Sequence, residues 1–321
     1  MSLNEFDFIR RYLQAQPQQD AVLLGIGDDA ALVRPEAGED WCFSTDMMLA
    51  GRHFFADDDP ADVAHKLLAV NLSDMAAMGA RPHWVLLSAA LPALDETWLA
   101  PFCQTLFAQA AAHGVALIGG DTTRGERVFN ITIAGTLPQG RALRRSGAQA
   151  GDDIWVSGVL GAAAAGLQHL TGRIRLPENL AAPCVAALRR PQARVALGQA
   201  LLPVAHAAID VSDGLLQDLG HILTASGVGA DIDAERVPCL PLFKKALPAD
   251  AVWPLLLAGG DDYELLFTAA VAQRAAIETL AAAVGVSLTR IGRIRAEAGL
   301  NCRLNDGSPL TLVRQGYDHF D

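Results

Sequence analysis

The chain has 321 residues, room for one large domain or two ordinary ones, and its 51% hydrophobic content against 19% charged is ample for a sizeable core. A net charge of −11 argues against nonspecific nucleic-acid binding. The longest apolar run, near residues 84–94, is broken by Ser88 and Pro92 and is too short to span a bilayer, so no membrane partner is expected. Five scattered cysteines (Cys42, Cys103, Cys184, Cys239, Cys302) form no C-x-x-C pair and read as reduced thiols of a cytoplasmic protein. The acidic start, residues 1–7, lacks the apolar stretch of a signal peptide.

In chain order, Ser2-Leu3-Asn4-Glu5 has the capping-box form and predicts a helix to about Gln14. Strands are expected at 22–26 and 41–48. Asp59-Pro60 supplies an N-cap with proline at the first helical position, predicting a helix to Met78 that Gly79 stops. A strand at 83–90, a helix from Asp95 to His113 closed by Gly114, and strands at 115–118 and 128–137 complete an α/β unit. The Gly- and Arg-rich stretch 138–153 reads as a linker. Beyond it, helices are expected near 160–170, 192–205, 215–225 and 271–284. Strands are expected near 154–157, 207–211, 229–233, 263–269, 287–294 and 300–313, the last folded at Asn305-Asp306-Gly307. Strands and helices do not alternate strictly, which favours α+β halves over a Rossmann sheet.

Five short apolar runs end in glycine- or serine-flanked acidic turns: 23–29, 42–46, 116–121, 208–214 and 257–264. Strand-end carboxylates converge at one rim of a sheet, and lysine occurs only at positions 66, 244 and 245, so hard divalent cations are the natural counter-charge. Mg²⁺ held by a few carboxylates usually also holds phosphates, which predicts a Mg²⁺-dependent enzyme acting on phosphates. The acidic turns fall in both halves, and the site is expected between them.

Each turn alone also reads as a solvated loop or a cap. Asp213 fits an N-cap for a helix from Leu215, and Asp59 already has a capping role. Asp74 differs, because it lies inside an apolar helix beside Asn71 and Ser73, where a carboxylate is costly unless paired or metal-bound. Gly25-Ile26-Gly27-Asp28-Asp29-Ala30 nominally fits a dinucleotide fingerprint, but two carboxylates would face the pyrophosphate and Pro35 cuts short any following helix. There is no G-x-x-x-x-G-K-[ST], no H-R-D or D-F-G, and the Ser212 turn lacks the first glycine of a nucleophile elbow. In so acidic a chain, Arg144-Arg145 in the linker reads as a phosphate clamp. The aromatics of Tyr317-Asp318-His319-Phe320 suggest a docked tail.

At these residues the chain resembles the thiamine-monophosphate kinases of the aminoimidazole ribonucleotide synthetase-like superfamily. The likeness runs essentially end to end, through Gly25–Asp29, Ser44-Thr45-Asp46-Met47, Asn71–Ala80, Gly119-Gly120-Asp121-Thr122-Thr123, Gly140–Leu143, Arg145-Ser146-Gly147, Asp210–Leu215, Gly259–Leu265 and Gly316–Phe320. The His53 segment, Asp-Tyr-Glu-Leu and the Tyr-Asp-His-Phe tail point to the thiamine branch. The resemblance implies a two-domain fold: an α/β N-terminal domain (1–138) that binds ATP and Mg²⁺ and dimerises, and an α+β C-terminal domain (139–321) that completes the active site. It implies ATP-dependent phosphorylation of thiamine monophosphate by a homodimer. By motif, Asp29, Ser44, Thr45, Asp46, Asp74, Asp121, Asp210 and Asp213 form the Mg²⁺ set, with Asp28 adjacent. Gly120, Asp121, Arg145 and Ser212 contact ATP, and His53, Glu264 and Tyr317 line the thiamine site. Asp261 stands where glutamate is expected. No general base is expected, because the attacking phosphate oxygen, with a pKa of about 6, is already ionised near neutral pH.

Three other readings compete: a ligase or cyclase of the same superfamily, a non-catalytic nucleotide-binding module, and a Mg²⁺-dependent phosphatase. Selenophosphate synthetase is disfavoured because no cysteine lies near the N-terminus, and the hydrogenase-maturation type because none ends the chain.

Overall fold

The computed structural model describes residues 9–13, 21–24, 32–33, 36–314 and 316–317. The chain divides into two compact units, residues 1–75 with 80–141, and residues 76–79 with 142–321. The expected first helix falls mostly outside the described residues, where Ile9–Leu13 is a single π-helical turn.

The first unit is built on a four-stranded sheet of order β3-β6-β4-β5, formed by β3 (Glu39–Leu49), β4 (Arg81–Leu91), β5 (Ala116–Arg124) and β6 (Val128–Pro138). Only β4 and β5 pair in parallel. A short ladder of β1 (Val22–Leu24) and β2 (Leu32–Val33) forms a separate sheet, with Val22 packed against Trp84 and Ala116. Helices α1 (Pro60–Met78) and α2 (Glu96–Ala112) begin at the expected caps. Asp59 accepts from Ala61 N–H at 2.8 Å and Asp95 from Thr97 N–H at 2.9 Å, satisfying amides that a helix start leaves without partners. Leu67, Leu68, Leu72 and Met75 of α1 and Leu99, Phe102 and Leu106 of α2 are buried, as are Phe129, Ile131 and Ile133 of β6. These side chains form one face of the sheet's packing. The other face of the same strands carries exposed Phe43 (66%), Met47 (53%) and Leu86. An apolar hollow of about 530 Å³ opens there, lined by Trp41, Phe43, Trp84, Leu86, Ile118 and Ala134.

The second unit holds a six-stranded sheet of order β12-β9-β11-β7-β10-β8. Its strands are β7 (Asp153–Ser157), β8 (Ala207–Val211), β9 (Gly229–Asp233), β10 (Glu264–Ala269), β11 (Leu288–Arg295) and β12 (Gly299–Arg303). All neighbours are antiparallel except β12 and β9. Its helices are α3 (Ala162–Leu170), α4 (Glu178–Arg189), α5 (Val195–Leu201), α6 (Leu215–Ser226), α7 (Phe243–Ala246), α8 (Ala249–Ala258) and α9 (Arg274–Val284). Strand residues Ile154, Val156, Ile209, Val211 and Leu266 pack with Leu215, Leu219 and Ile222 of α6 in one core. The α/β and α+β characters expected of the two halves are those observed.

Three local expectations differ. Helices α4 and α8 were not expected; each carries an interior proline, Pro183 and Pro254, as the expected α2 does at Pro101, a residue that removes a helical hydrogen bond. The hairpin expected over 300–313 keeps only its first arm; the return is an isolated bridge of Arg303 with Pro309, which has no N–H to extend a ladder. Helix 192–205 is shorter than expected, at Val195–Leu201.

Candidate active site

In the first unit, β3 alternates cleanly. Cys42, Ser44, Asp46 and Met48 share the face beneath the helices, while Phe43, Thr45 and Met47 share the exposed one. The Ser44 hydroxyl donates to Oδ2 of Asp74, which sits half-buried on α1. Three residues earlier on the same helix side, Asn71 is fully buried. Its Nδ2 donates to the Leu67 carbonyl at 2.9 Å, while its Oδ1 has no hydrogen-bond partner. Ser44 and Asp74 are in direct contact, with Asp46 on the same strand face as Ser44; hydroxyl and carboxylate oxygens of this kind suit Mg²⁺. Among the described residues, no three His, Cys, Asp or Glu side chains are grouped closely enough to hold a metal by themselves.

Thr45 departs from expectation. Its hydroxyl lies on the opposite face of β3, within reach of Asn130, the Ile131 carbonyl and Thr132 at 3.1–3.3 Å. Period-two alternation alone puts it there, so its side chain is not part of the Ser44–Asp46–Asp74 set. Asp121 is exposed near the end of β5 and follows Gly120, whose φ is 154°. A Cβ on Gly120 would lie 1.9 Å from the Leu87 carbonyl oxygen, so this close strand approach admits only glycine. His53 sits in the tight turn after β3. Its Nδ1 accepts the Leu49 N–H at 3.1 Å, which leaves the proton of the neutral ring on Nε2, and its carbonyl accepts from buried Lys66 at 3.2 Å.

In the second unit, Asp210 is buried at the end of β8, and the chain turns through Ser212-Asp213-Gly214 into α6. The helix cap expected of Asp213 is supplied by Asp218 instead. One oxygen, Oδ2 of Asp218, accepts the N–H groups of Ser212, Asp213 and Gly214 at 3.1, 3.2 and 3.1 Å. Burial, then the nearby charges of Asp210 and Asp213, push this carboxyl up to about 7. The turn 259–263 is fastened to it by main-chain bonds: Asp261 N–H to the Ser212 carbonyl and Tyr263 N–H to the Val211 carbonyl, both 2.8 Å. Asp261 and Tyr263 hold positive φ values of 69° and 50°. Tyr317 docks as its tail position suggested, its N–H donating to the Asp213 carbonyl at 3.0 Å and its own carbonyl accepting from Gln217 at 3.0 Å. The structure thus brings Asp210, Ser212, Asp213, Asp261 and Tyr317 together.

One expected residue is turned to the interior. Glu264, expected at the thiamine site, is buried and takes a bidentate pair from Arg194 (Nε to Oε2 2.7 Å, Nη2 to Oε1 2.5 Å) plus a bond from the Ser157 hydroxyl at 2.5 Å. Both of its oxygens are engaged inside the unit. The half-buried acid at the surface of this turn is Asp261. Arg145 is exposed in a loop pinned by Ser226, whose hydroxyl accepts from Gly147 and Ala148 N–H and donates to the Arg145 carbonyl. Asp28, Asp29 and residues 318–320 lie outside the described residues.

Sequence reasoning missed Asp218, Asp262 and Arg194. Asp262 accepts the Gly161 N–H at 2.8 Å at the start of α3, and burial raises its pKa well above the ordinary carboxylate value. Asp218 was detectable by the argument that singled out Asp74, since it shares an apolar helix face with Leu215 and Ile222.

Comparison with known proteins follows this geometry. Residues 27–137 match the AIR synthase related protein N-terminal domain and residues 149–305 the corresponding C-terminal domain. Thiamine-monophosphate kinase of Salmonella typhimurium is 45% identical over 323 residues, covering 100% of this chain and 99% of that protein. The crystal structure of thiamine-monophosphate kinase from Stenotrophomonas maltophilia K279a is 46% identical, with a TM-score of 0.87, covering 97% of this chain and 99% of the other. A structure described as AaThiL complexed with AMPPCP and TMP is 28% identical, with a TM-score of 0.78, covering 98% and 96% of the two chains. The motifs first read from acidic turns and the fold that carries them agree, and the chain belongs to the thiamine-monophosphate kinase family, built from the two AIR synthase related domains.

Proposed function

We propose that the protein transfers the terminal phosphoryl group of ATP to the phosphate of thiamine monophosphate, giving thiamine diphosphate and ADP. The observation that carries this is the likeness along the whole chain to thiamine-monophosphate kinases, one relative being described with AMPPCP and TMP. An ionised phosphate oxygen of the acceptor attacks the γ-phosphorus, and the bond from that phosphorus to the β,γ-bridging oxygen breaks in line. No proton has to be removed from the nucleophile, whose second pKa is about 6. The obstacle is charge, and the chain's contribution is positioning and electrostatic stabilisation.

Bound Mg²⁺ would screen the phosphate charges. Ser44, Asp46, Asp74 and Asp121 in the first unit are proposed as its ligands, as are Asp210 and Asp213 in the second and Asp29 outside the described residues. For Thr45 only the main chain is proposed as a ligand. Gly120, Asp121, Arg145 and Ser212 address ATP. The Nε2–H of His53 suits an acceptor phosphate as a donor, and the aromatic face of Tyr317 suits a cationic thiazolium. Asp261 supplies the negative charge at that end, and Glu264 supports the turn from behind through Arg194.

The protein acts as a cytoplasmic homodimer in this reading. Support for the dimer is the exposed apolar sheet face of Phe43, Met47 and Leu86, since contiguous exposed apolar surface of this kind marks an interaction site. Support for the location is that no described helix is long and apolar enough to cross a membrane, and that all five cysteines are free thiols.

The test is mass-spectrometric detection of thiamine diphosphate from purified protein, ATP, Mg²⁺ and thiamine monophosphate, with free thiamine and a no-acceptor control alongside. Product with the monophosphate supports the reading. ATP hydrolysis without an organic product would replace it with a phosphatase.

A further inference from the structure

We propose that Asp218 is a positioning residue for this phosphoryl transfer: its carboxylate fills the amide cradle at the start of α6 and thereby fixes the main chain that aims Asp213 at cations. Three successive N–H groups converging before a helix form the arrangement that binds phosphate directly in glycine-rich loops. Here the cradle is already taken. Asp218, from the first turn of the same helix, places a single oxygen 3.1–3.2 Å from all three nitrogens. Gly214 makes the bend possible, with φ 126° and no room for a Cβ beside the Ala258 backbone.

Two consequences follow. The amides of Ser212, Asp213 and Gly214 cannot also serve a phosphate, so the turn meets the nucleotide through side chains and cations. In addition, the main chain that carries the carboxylate of Asp213 is fixed by a residue that touches neither substrate. The inference rests on the reading of Asp210 and Asp213 as cation ligands.

The experiment compares Asp218→Ala and Asp218→Asn with Asp210→Asn in the full-length protein. Asparagine retains an acceptor oxygen of the same reach; alanine retains none. Binding of the Mg²⁺ complex of a non-hydrolysable ATP analogue is measured by calorimetry, alongside kcat, the KM for thiamine monophosphate and the Mg²⁺ concentration for half-maximal rate. Loss of a residue that orients metal ligands typically costs roughly 10- to 100-fold in metal affinity or activity. Asp218→Ala is expected to weaken Mg²⁺–nucleotide binding and raise the Mg²⁺ requirement by that order, with the KM for thiamine monophosphate within about twofold of wild type, and Asp218→Asn to recover part of the loss. A folded Asp218→Ala protein with unchanged Mg²⁺ requirement and nucleotide affinity overturns the proposal. So does failure of both variants to fold, since the carboxylate then serves the fold alone. If Asp210→Asn is also without effect, it is the cation reading of the turn that fails. If Asp210→Asn loses binding and Asp218→Ala does not, only the positioning role fails.

Discussion

Replacing Arg194 by alanine should destabilise the second unit more than it harms substrate binding. The Glu264 side chain is 6% exposed and that of Arg194 23%, and the two form a bidentate pair with Ser157 as a third partner. Removing one member of a buried pair leaves the other charge without compensation, at a cost of about 3–5 kcal/mol. Residual water access through Arg194 puts the expected value near the lower end, about 3 kcal/mol. For a unit of this size, a loss of that order lowers the unfolding temperature by roughly 6–12 °C. The assay is calorimetric unfolding of wild type, Arg194→Ala, Glu264→Gln and the double variant. The pair predicts a coupling energy of about 2 kcal/mol or more, because the second substitution removes the charge stranded by the first. Arg194→Ala within about 1 kcal/mol of wild type would refute the buried-pair argument. Unchanged stability of Glu264→Gln, with a KM for thiamine monophosphate raised tenfold or more, would return Glu264 to the substrate site.

Three further outcomes are expected. Asp74→Asn and Asp121→Asn should each lower kcat by roughly 100-fold or more with unfolding temperatures near wild type, as expected for groups that meet charge developing in the transition state; near-normal turnover in both would remove them from the metal set. Phe43→Asp combined with Leu86→Lys should convert a dimer to monomer in sedimentation velocity, and an unchanged sedimentation coefficient would assign this face no role in assembly. Asp153→Asn should be less stable than wild type at neutral pH, with the difference shrinking as pH falls through the carboxylate range. Burial raises the Asp153 pKa, but Arg274 and Arg290 together bring it below the ordinary value, so its stabilisation is present above that range and lost as the group protonates. A pH-independent difference would show that the carboxylate's charge does not matter.

Much of the fold could be read from local chemistry. The Asp59-Pro60 and Asp95 caps, the glycine stops at Gly79 and Gly114, and the apolar runs of β7, β8 and β10 appear where the sequence puts them. Helices α4 and α8 could not; each carries an interior proline, yet so does the expected α2. The site shows the same division. Of the expected acidic turns after strands, 208–214 follows β8 as read, whereas Asp46 and Asp121 lie inside β3 and β5 and the turn 259–263 follows helix α8; the burial of Asn71, Ser73 and Asp210 follows from their apolar surroundings. What each carboxylate faces is not a sequence property. Glu264 lies three residues from Asp261 in the same motif, yet strand alternation and Arg194, seventy positions away, turn it into the interior. The Thr45 side chain parts from its neighbours for a simpler reason. Contiguity in Ser44-Thr45-Asp46 suggests a common role, but adjacent strand residues point to opposite faces.

The main-chain fastening of the two acidic turns in the second unit bears on how such a site can change over evolutionary time. Asp261 and Tyr263 are tied to Ser212 and Val211 by peptide groups, so the geometry of the turn is largely indifferent to which side chains it displays. Substitution at positions 261 and 263 can alter the surface this turn displays while the opposite turn, with Asp210 and Asp213, keeps its shape. The positive φ values at both positions confine that freedom, favouring glycine, asparagine and aspartate and excluding β-branched residues. A lineage, or a directed-evolution library, has a narrow alphabet here, and within it the side chains at 261 and 263 can change without disturbing the turn that carries Asp210 and Asp213.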